Sequence, residues 1–206
     1  MALQKAEKLD SFREIISFDE VNKKARAGLF YSPMEGPPFN LDMSLPFPCK
    51  ILWMDPSAEA GMPHTRAPDL ICLPMYWPTD RIRETVKHEL SHIQQRMESK
   101  KWVKWCLDNG WTLVDEKEIP ERWLRRCRIN PDTMMYRFWA YLERWVPLPL
   151  YEREDTPKLR EVQVRWWDRQ TGALSSEIPE PLREVCQGIQ HPEHPWEIAA
   201  YRHILL

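Results

Sequence analysis

Two histidines and a glutamate near the middle of the chain have the spacing of a metal site. His88, Glu89 and His92 form an H-E-x-x-H motif. On an α-helix, residues four apart project from one face about one turn apart, so both imidazoles can bind a single Zn²⁺. The glutamate between them can reach a metal-bound water. If the stretch is helical, the spacing therefore predicts zinc-assisted hydrolysis.

The residues around the motif favour such a helix. At about 100° per residue, the apolar residues fall within a sector of roughly 80° and form a core-facing stripe. That stripe consists of Ile82, Val86, Leu90, Ile93 and Met97. His88 and His92 project roughly 140° from its centre, on a polar side of the helix. We therefore expect both histidines to face a cleft or solvent.

A catalytic zinc needs three protein ligands and one open position, so a third ligand must come from elsewhere. In the metzincin pattern a third histidine follows six residues after the second one, with a glycine between them. Here Gln95 stands at the glycine position and Glu98 at the histidine position. On a continuing helix Glu98 would point away from the metal. The third ligand is therefore expected from a distant segment.

The strongest candidate for the third ligand is Glu197, near the C-terminus of the sequence. Pro195 is well placed to begin a helix, with Glu197 in its first turn. The small residues 199–200 would let that helix pack closely against another one. A histidine close by could instead orient a ligand from outside the first coordination shell. The remaining candidate ligands are His194, His191 and, more remotely, Glu193 and Glu98.

An H-E-x-x-H helix followed by a glutamate on a later helix resembles the gluzincin class of zinc metallopeptidases. The resemblance covers residues 69–96 and 195–203, and the residues between them match no subfamily. It implies Zn²⁺ held by His88, His92 and Glu197, and hydrolysis of peptide bonds in a peptide or protein substrate. It further implies that Glu89 deprotonates zinc-bound water and passes the proton to the leaving amine.

Gluzincins also use a tyrosine or histidine to assist the oxyanion of the reaction. No motif in this chain assigns that role. We assign this catalytic role to Tyr201, because it lies close in sequence to Glu197. His203 and Tyr76 remain open alternatives.

The expected fold is α+β and zincin-like, with the active-site helix packed on a small sheet. Apolar runs at residues 50–55 and 69–74 predict two strands, joined by a loop at 57–68. A free edge of the second strand beside the cleft could pair with an extended peptide. Thr79 with Asp80 suits the N-cap and first turn of the active-site helix. We expect that helix to break near residue 99 and to stop at 109–110.

The rest of the chain is expected to belong to the same single domain, residues 1–206. Ser17 and Glu20 have the spacing of a capping box, which predicts a helix start within an N-terminal helical region. Strand patterns at 145–152 and 159–167 predict a hairpin. The expected parts are an N-terminal region and Pro-rich arm at residues 1–48, a short helix at 120–128, a β insertion at 138–174 and a C-terminal helix carrying the third ligand.

Composition limits the compartment and the partners. Hydrophobic residues make up 43% of the 206 residues, charged residues 29%, and the net charge is −2. Neither sign of charge segregates along the chain, so we expect no nucleic-acid partner. We also expect no secretory signal and no membrane span. Five widely spaced cysteines without a C-x-x-C pair favour free thiols in a reducing, cytoplasmic environment.

A second class of function stays open at this point. The chain has 19 prolines and 11 tryptophans. Tryptophan is enriched at protein interfaces, and the segments at 31–48 and 145–151 would suit burial against a partner. The alternative is therefore a structural or interaction subunit on a zincin-like fold, with a non-catalytic or vestigial metal site.

Overall fold

The computed structural model describes residues 2–36 and 47–204. Within them the chain forms seven α-helices and two β-sheets, which confirms the expected α+β class. The helices are α1 Ala2–Asp10, α2 Phe12–Phe18, α3 Glu20–Ala25, α4 Ile82–Met97, α5 Ser99–Asp108, α6 Glu121–Leu124 and α7 Pro195–Tyr201. The strands are β1 Lys50–Met54, β2 His64–Arg66, β3 Leu70–Pro74, β4 Trp111–Leu113, β5 Trp139–Tyr141, β6 Trp145–Tyr151, β7 Val162–Asp168 and β8 Leu174–Ser175.

The first sheet has three strands in the order β1-β3-β2. β1 and β3 are the two strands expected from the sequence, and they pair in parallel. The expected loop at 57–68 contains β2, which pairs antiparallel with β3. The prediction of a free edge on the second strand is therefore wrong, because β3 lies between two partners. The outer side of β1 is also covered, since the N–H of Met34 donates to the carbonyl of Trp53 at 2.9 Å.

Helix α4 packs its apolar stripe on this sheet. Val86, Leu90 and Ile93 are buried in one cluster with residues from β1 and β3. Met97 is 58% exposed, so its assignment to the stripe was wrong: the helix ends at this residue. The expected break near residue 99 is confirmed, because α4 ends at Met97 and α5 begins at Ser99. At the other end the helix begins at Ile82 rather than at the expected Thr79 cap.

The second sheet has five antiparallel strands in the order β4-β5-β6-β7-β8. The expected hairpin is β6 paired with β7. The proposed insertion boundary at 138–174 was too narrow, because β4 already joins this sheet from residue 111. Nor is the sheet an isolated addition, since its apolar face shares a core with α5 and α7. The tryptophans of that core are Trp102, Trp111, Trp139, Trp166 and Trp196.

The expected N-terminal helical region consists of the three helices α1, α2 and α3. The cap of α3 is Asp19, whose carboxylate accepts from the N–H of Asn22, and not the expected Ser17. A buried Arg66 on β2 donates to Asp10 at 2.7 and 2.8 Å and so ties α1 to the first sheet. Residues 37–46 of the expected Pro-rich arm lie outside the described residues.

Two observations bear on the expected environment of the chain. Cys49, Cys72, Cys106, Cys127 and Cys186 are all free thiols, as expected, and four of them are buried. In the part of the chain that the structure describes, no helix combines the length and the apolar character needed to cross a membrane. The compartment itself stays a prediction.

Candidate metal centre

Three side-chain donor atoms from two helices meet at one point. The Nε2 atoms of His88 and His92 are 3.1 Å apart, and each lies 3.4 Å from Oε2 of Glu197. In a tetrahedral zinc site with bonds of about 2.0–2.1 Å, two ligand atoms are about 3.3–3.4 Å apart. The donor spacing therefore fits a small metal ion. Among residues 2–36 and 47–204, this is the one group of three or more His, Cys, Asp or Glu side chains whose donor atoms lie close enough together to hold a metal ion.

Close packing of α4 against α7 creates this convergence. Ala199 and Ala200 on α7 are fully buried, which lets the two helices approach each other. His92 and Gln95 on the polar side of α4 are fully buried as well, because α7 covers that side. The expectation that both histidines face a cleft or solvent thus holds for His88, whose side chain is 20% exposed, and is wrong for His92.

The competing third ligands have other roles or positions. Both ring nitrogens of His194 are engaged with main chain: Nδ1 accepts from the N–H of Trp196 at 3.0 Å, and Nε2 donates to the carbonyl of Tyr136 at 2.6 Å. His194 is therefore the N-cap of α7, and neither nitrogen is free to bind a metal. His191 is an exposed residue of the cleft wall. Glu98 pairs with Lys101 at 3.1 Å.

Gln95 fixes the orientation of the His92 ring. Its Oε1 lies 2.8 Å from Nδ1 of His92, and its Nε2 donates to the carbonyl of Trp196 at 2.9 Å. Because the amide oxygen is an acceptor, Nδ1 must carry a proton, so the lone pair of the neutral ring lies on Nε2, where a metal would displace the second proton. One buried side chain thereby sets the tautomer of a candidate ligand and links α4 to α7.

Asn130 orients the third donor in a similar way. Its Nδ2 donates to Oε1 of Glu197 at 2.9 Å and to Oε1 of Glu193 at 2.8 Å. Arg128 also donates to that oxygen of Glu193, at 2.6 Å, so Glu193 is paired with its own cation. With Oε1 of Glu197 held by the amide, Oε2 faces the two histidines.

The second sheet positions the segment that carries Arg128 and Asn130. The N–H of Arg128 donates to the carbonyl of Pro149 at 2.7 Å, which lays the segment beside β6. Pro147 and Pro149 can occupy β6 because a proline is tolerated where its missing N–H would not serve the strand ladder. On the same side of β6, the N–H of Tyr151 donates to the carbonyl of Arg126 at 2.9 Å.

Electrostatics around the donors favour a cation. Burial alone would lower the pKa of His92, but the carboxylates of Glu197 and Asp132 outweigh it and raise the pKa to about 10. Burial would raise the pKa of Glu197, yet His92 and His88 outweigh it and hold the pKa well below its usual range. The site therefore stabilises positive charge beside an ionised carboxylate, which is the environment that a divalent metal requires.

Glu89 lies beside the three donors without being one of them. The residue is 3% exposed, and its Oε2 has no hydrogen-bond partner among the described residues. Burial raises the pKa of Glu89, Asp132 raises it further, and the result is well above the usual range despite the opposing effect of His92. A carboxyl group with a raised pKa can both accept and return a proton.

The donors open onto a cleft of about 660 Å³. Tyr201 lines this cleft, and its ring centroid is 4.8 Å from that of His88. Burial and then Glu197 raise the pKa of Tyr201 to about 12, so its hydroxyl is a neutral donor near pH 7. His203 lines the cleft but lies 3.3 Å from Glu84, whereas Tyr76 is 81% exposed.

Sequence patterns could have identified only some of the supporting residues. Gln95 lies three residues after His92 on the same face of a helix, so its contact was predictable from spacing. Asn130 and Asp132 carry no such signal, because they reach the site from a segment far away in sequence.

No family model, no curated protein and no solved structure matches this chain. Its function is therefore inferred from the residues of the site.

Proposed function

We propose that this chain is a zinc metallopeptidase of zincin-like, gluzincin type. The observation that carries the proposal is the convergence of two imidazole nitrogens and one carboxylate oxygen next to a buried, unpartnered glutamate. His88, His92 and Glu197 would hold the metal. This set of two nitrogens and one oxygen is the ligand set of zinc hydrolases that keep one position open.

Zinc held here would supply a Lewis acid that polarises a carbonyl and makes a water more acidic. Side chains of the protein would transfer the protons and stabilise the developing charge. Glu89 accepts the proton of the attacking water and donates it to the departing amine, a role that its raised pKa suits. Tyr201 lies at the cleft beside His88, where its hydroxyl can donate to the oxygen on which negative charge develops. Gln95 and Asn130 keep two of the metal ligands oriented.

The peptide or protein substrate of this proposal enters the open cleft. Its walls combine apolar groups, including Met62, Pro63 and Val162, with charged groups around the donors. Such a cleft suits a chain that presents both side chains and main-chain amides.

Replacing Glu89 tests the catalytic proposal against a purely structural metal site. We expect wild-type protein to bind about one zinc per chain and to cleave peptides from a random library, as read by mass spectrometry. Glu89→Gln should retain the zinc and lose about 10²–10⁴-fold in rate, because the amide cannot accept the proton. Glu98→Gln is the matched control on a glutamate paired with Lys101, and it should change neither zinc content nor rate.

Equal rates for wild type and Glu89→Gln would contradict the proposal. Zinc bound without any hydrolysis by wild type would favour the alternative, a structural or interaction subunit. Residues 37–46, the larger part of the Pro-rich segment 31–48 that suggested this alternative, lie outside the described residues.

A further inference from the structure

The edge strand β2 forms part of the cleft wall, but its main chain is already engaged. The N–H of Thr65 donates to Oδ1 of Asp132 at 2.6 Å, and the hydroxyl of Thr65 donates to the same oxygen at 2.7 Å. A peptide that adds to a sheet edge needs such outward N–H groups for its own carbonyls. At Thr65, Asp132 occupies that position.

The side chain of His64, on the same strand, has an unused hydrogen-bonding atom. His64 is 3% exposed and lines the cleft together with Glu89 and Glu197. Its Nδ1 lies 3.1 Å from the carbonyl oxygen of Met62. Its Nε2 is buried and has no partner among the described residues.

The contact with Met62 determines what Nε2 can do. A carbonyl oxygen only accepts, so Nδ1 of His64 carries the hydrogen, and Nε2 of the neutral ring carries a lone pair. A buried acceptor without a donor loses the hydrogen bond that water would have given it. A ligand with a hydrogen-bond donor would satisfy it, and the donor that a peptide carries along its main chain is the amide N–H.

The turn at Ala58–Gly61, just before His64, is held by an ion pair. Glu59 and Ala60 have left-handed backbone angles, with φ of 45° and 56°. The turn is secured by Arg26, which donates to both carboxylate oxygens of Glu59 at 2.7 and 2.8 Å. Strained residues that are firmly secured at the wall of a cleft are a common feature of binding sites.

We infer that His64 binds substrate, with its Nε2 accepting a hydrogen bond from a main-chain N–H of the bound peptide. A side chain of β2 thereby takes the place of the strand main chain in holding the peptide. This inference rests on the proposed function, because it deepens the substrate recognition of the same cleft.

Binding can be measured apart from catalysis in the inactive Glu89→Gln background. The probes are a fluorescent peptide that wild type cleaves and its ester analogues, each with one amide N–H replaced by oxygen. His64→Leu should weaken peptide binding about tenfold in fluorescence anisotropy, since a buried N–H of the peptide loses its acceptor. His64→Gln offers a carbonyl acceptor and should recover part of that loss. Gln187→Leu, a change to leucine at an exposed residue that does not line the cleft, should alter binding less than about twofold.

The ester analogues identify the hydrogen bond itself. One analogue should bind about tenfold more weakly than the peptide when His64 is present and equally well when it is Leu. Unchanged binding by folded, zinc-loaded His64→Leu and His64→Gln, or the same ester penalty with and without His64, would overturn the inference while leaving the peptidase proposal intact. If wild type loads zinc but neither cleaves nor binds any peptide, the proposed function fails, and the inference fails with it.

Discussion

Gln95 offers the most direct test of how the site is held together. Its side chain is fully buried, accepts from Nδ1 of His92 and donates to the carbonyl of Trp196. Gln95→Leu keeps a similar volume and removes both hydrogen bonds. The unpaired Nδ1–H of His92 then costs about 1–3 kcal/mol, and the lost bond to Trp196 costs about 0.5–1.5 kcal/mol.

Two quantities should change in Gln95→Leu. The unfolding free energy of the metal-free protein should fall, as measured by urea denaturation in chelator. The zinc affinity should fall about 10–100-fold in competition with a chromophoric chelator, because the ring of His92 and its tautomer are no longer fixed. Gln95→Glu separates the two effects. It keeps an acceptor for His92 and loses the donor to Trp196, so its zinc affinity should stay near that of wild type while its stability falls.

A folded Gln95→Leu protein that binds zinc within about twofold of wild type would refute this reasoning. That result would mean that the hydrogen bond to His92 does not set the geometry of the ligand.

Two further changes probe catalysis and pH-dependent stability. Tyr201→Phe should lower kcat by about 10²-fold with little change in KM or zinc content, if the hydroxyl stabilises developing charge; an unchanged kcat would remove Tyr201 from the mechanism. Burial raises the pKa of Asp10, but Arg66 outweighs it and holds the pKa below its ordinary value of 3.8. Its ionised form therefore stabilises the fold above pH 3.8, and this contribution is lost as the pH falls through the lower folded pKa. Urea denaturation should show a steeper loss of stability for wild type than for Asp10→Asn below about pH 4, and parallel curves would contradict this assignment.

Local sequence patterns predicted the elements that carry the site. The 3.6-residue period placed Val86, Leu90 and Ile93 in the core, and the alternation at residues 159–167 indicated β7. Pro195 correctly marked the start of α7. These features depend on spacing along one helix or strand, which the order of residues alone specifies.

Tertiary packing decided the features that bring distant segments together. Sequence ranked Glu197 above His194 as a ligand, but only the fold shows the ring of His194 used as a helix cap. The pairing of β2 with β3 removes the expected free edge of the second strand. The capping of Thr65 by Asp132 joins residues 67 positions apart. Asn130 reaches Glu197 across a similar separation. Sequence thus specified the two histidines and the glutamate between them, because one helix turn sets their geometry. The third donor, its orientation and the shape of the cleft depend on how α4, α7 and the two sheets pack, and no local pattern encodes that packing.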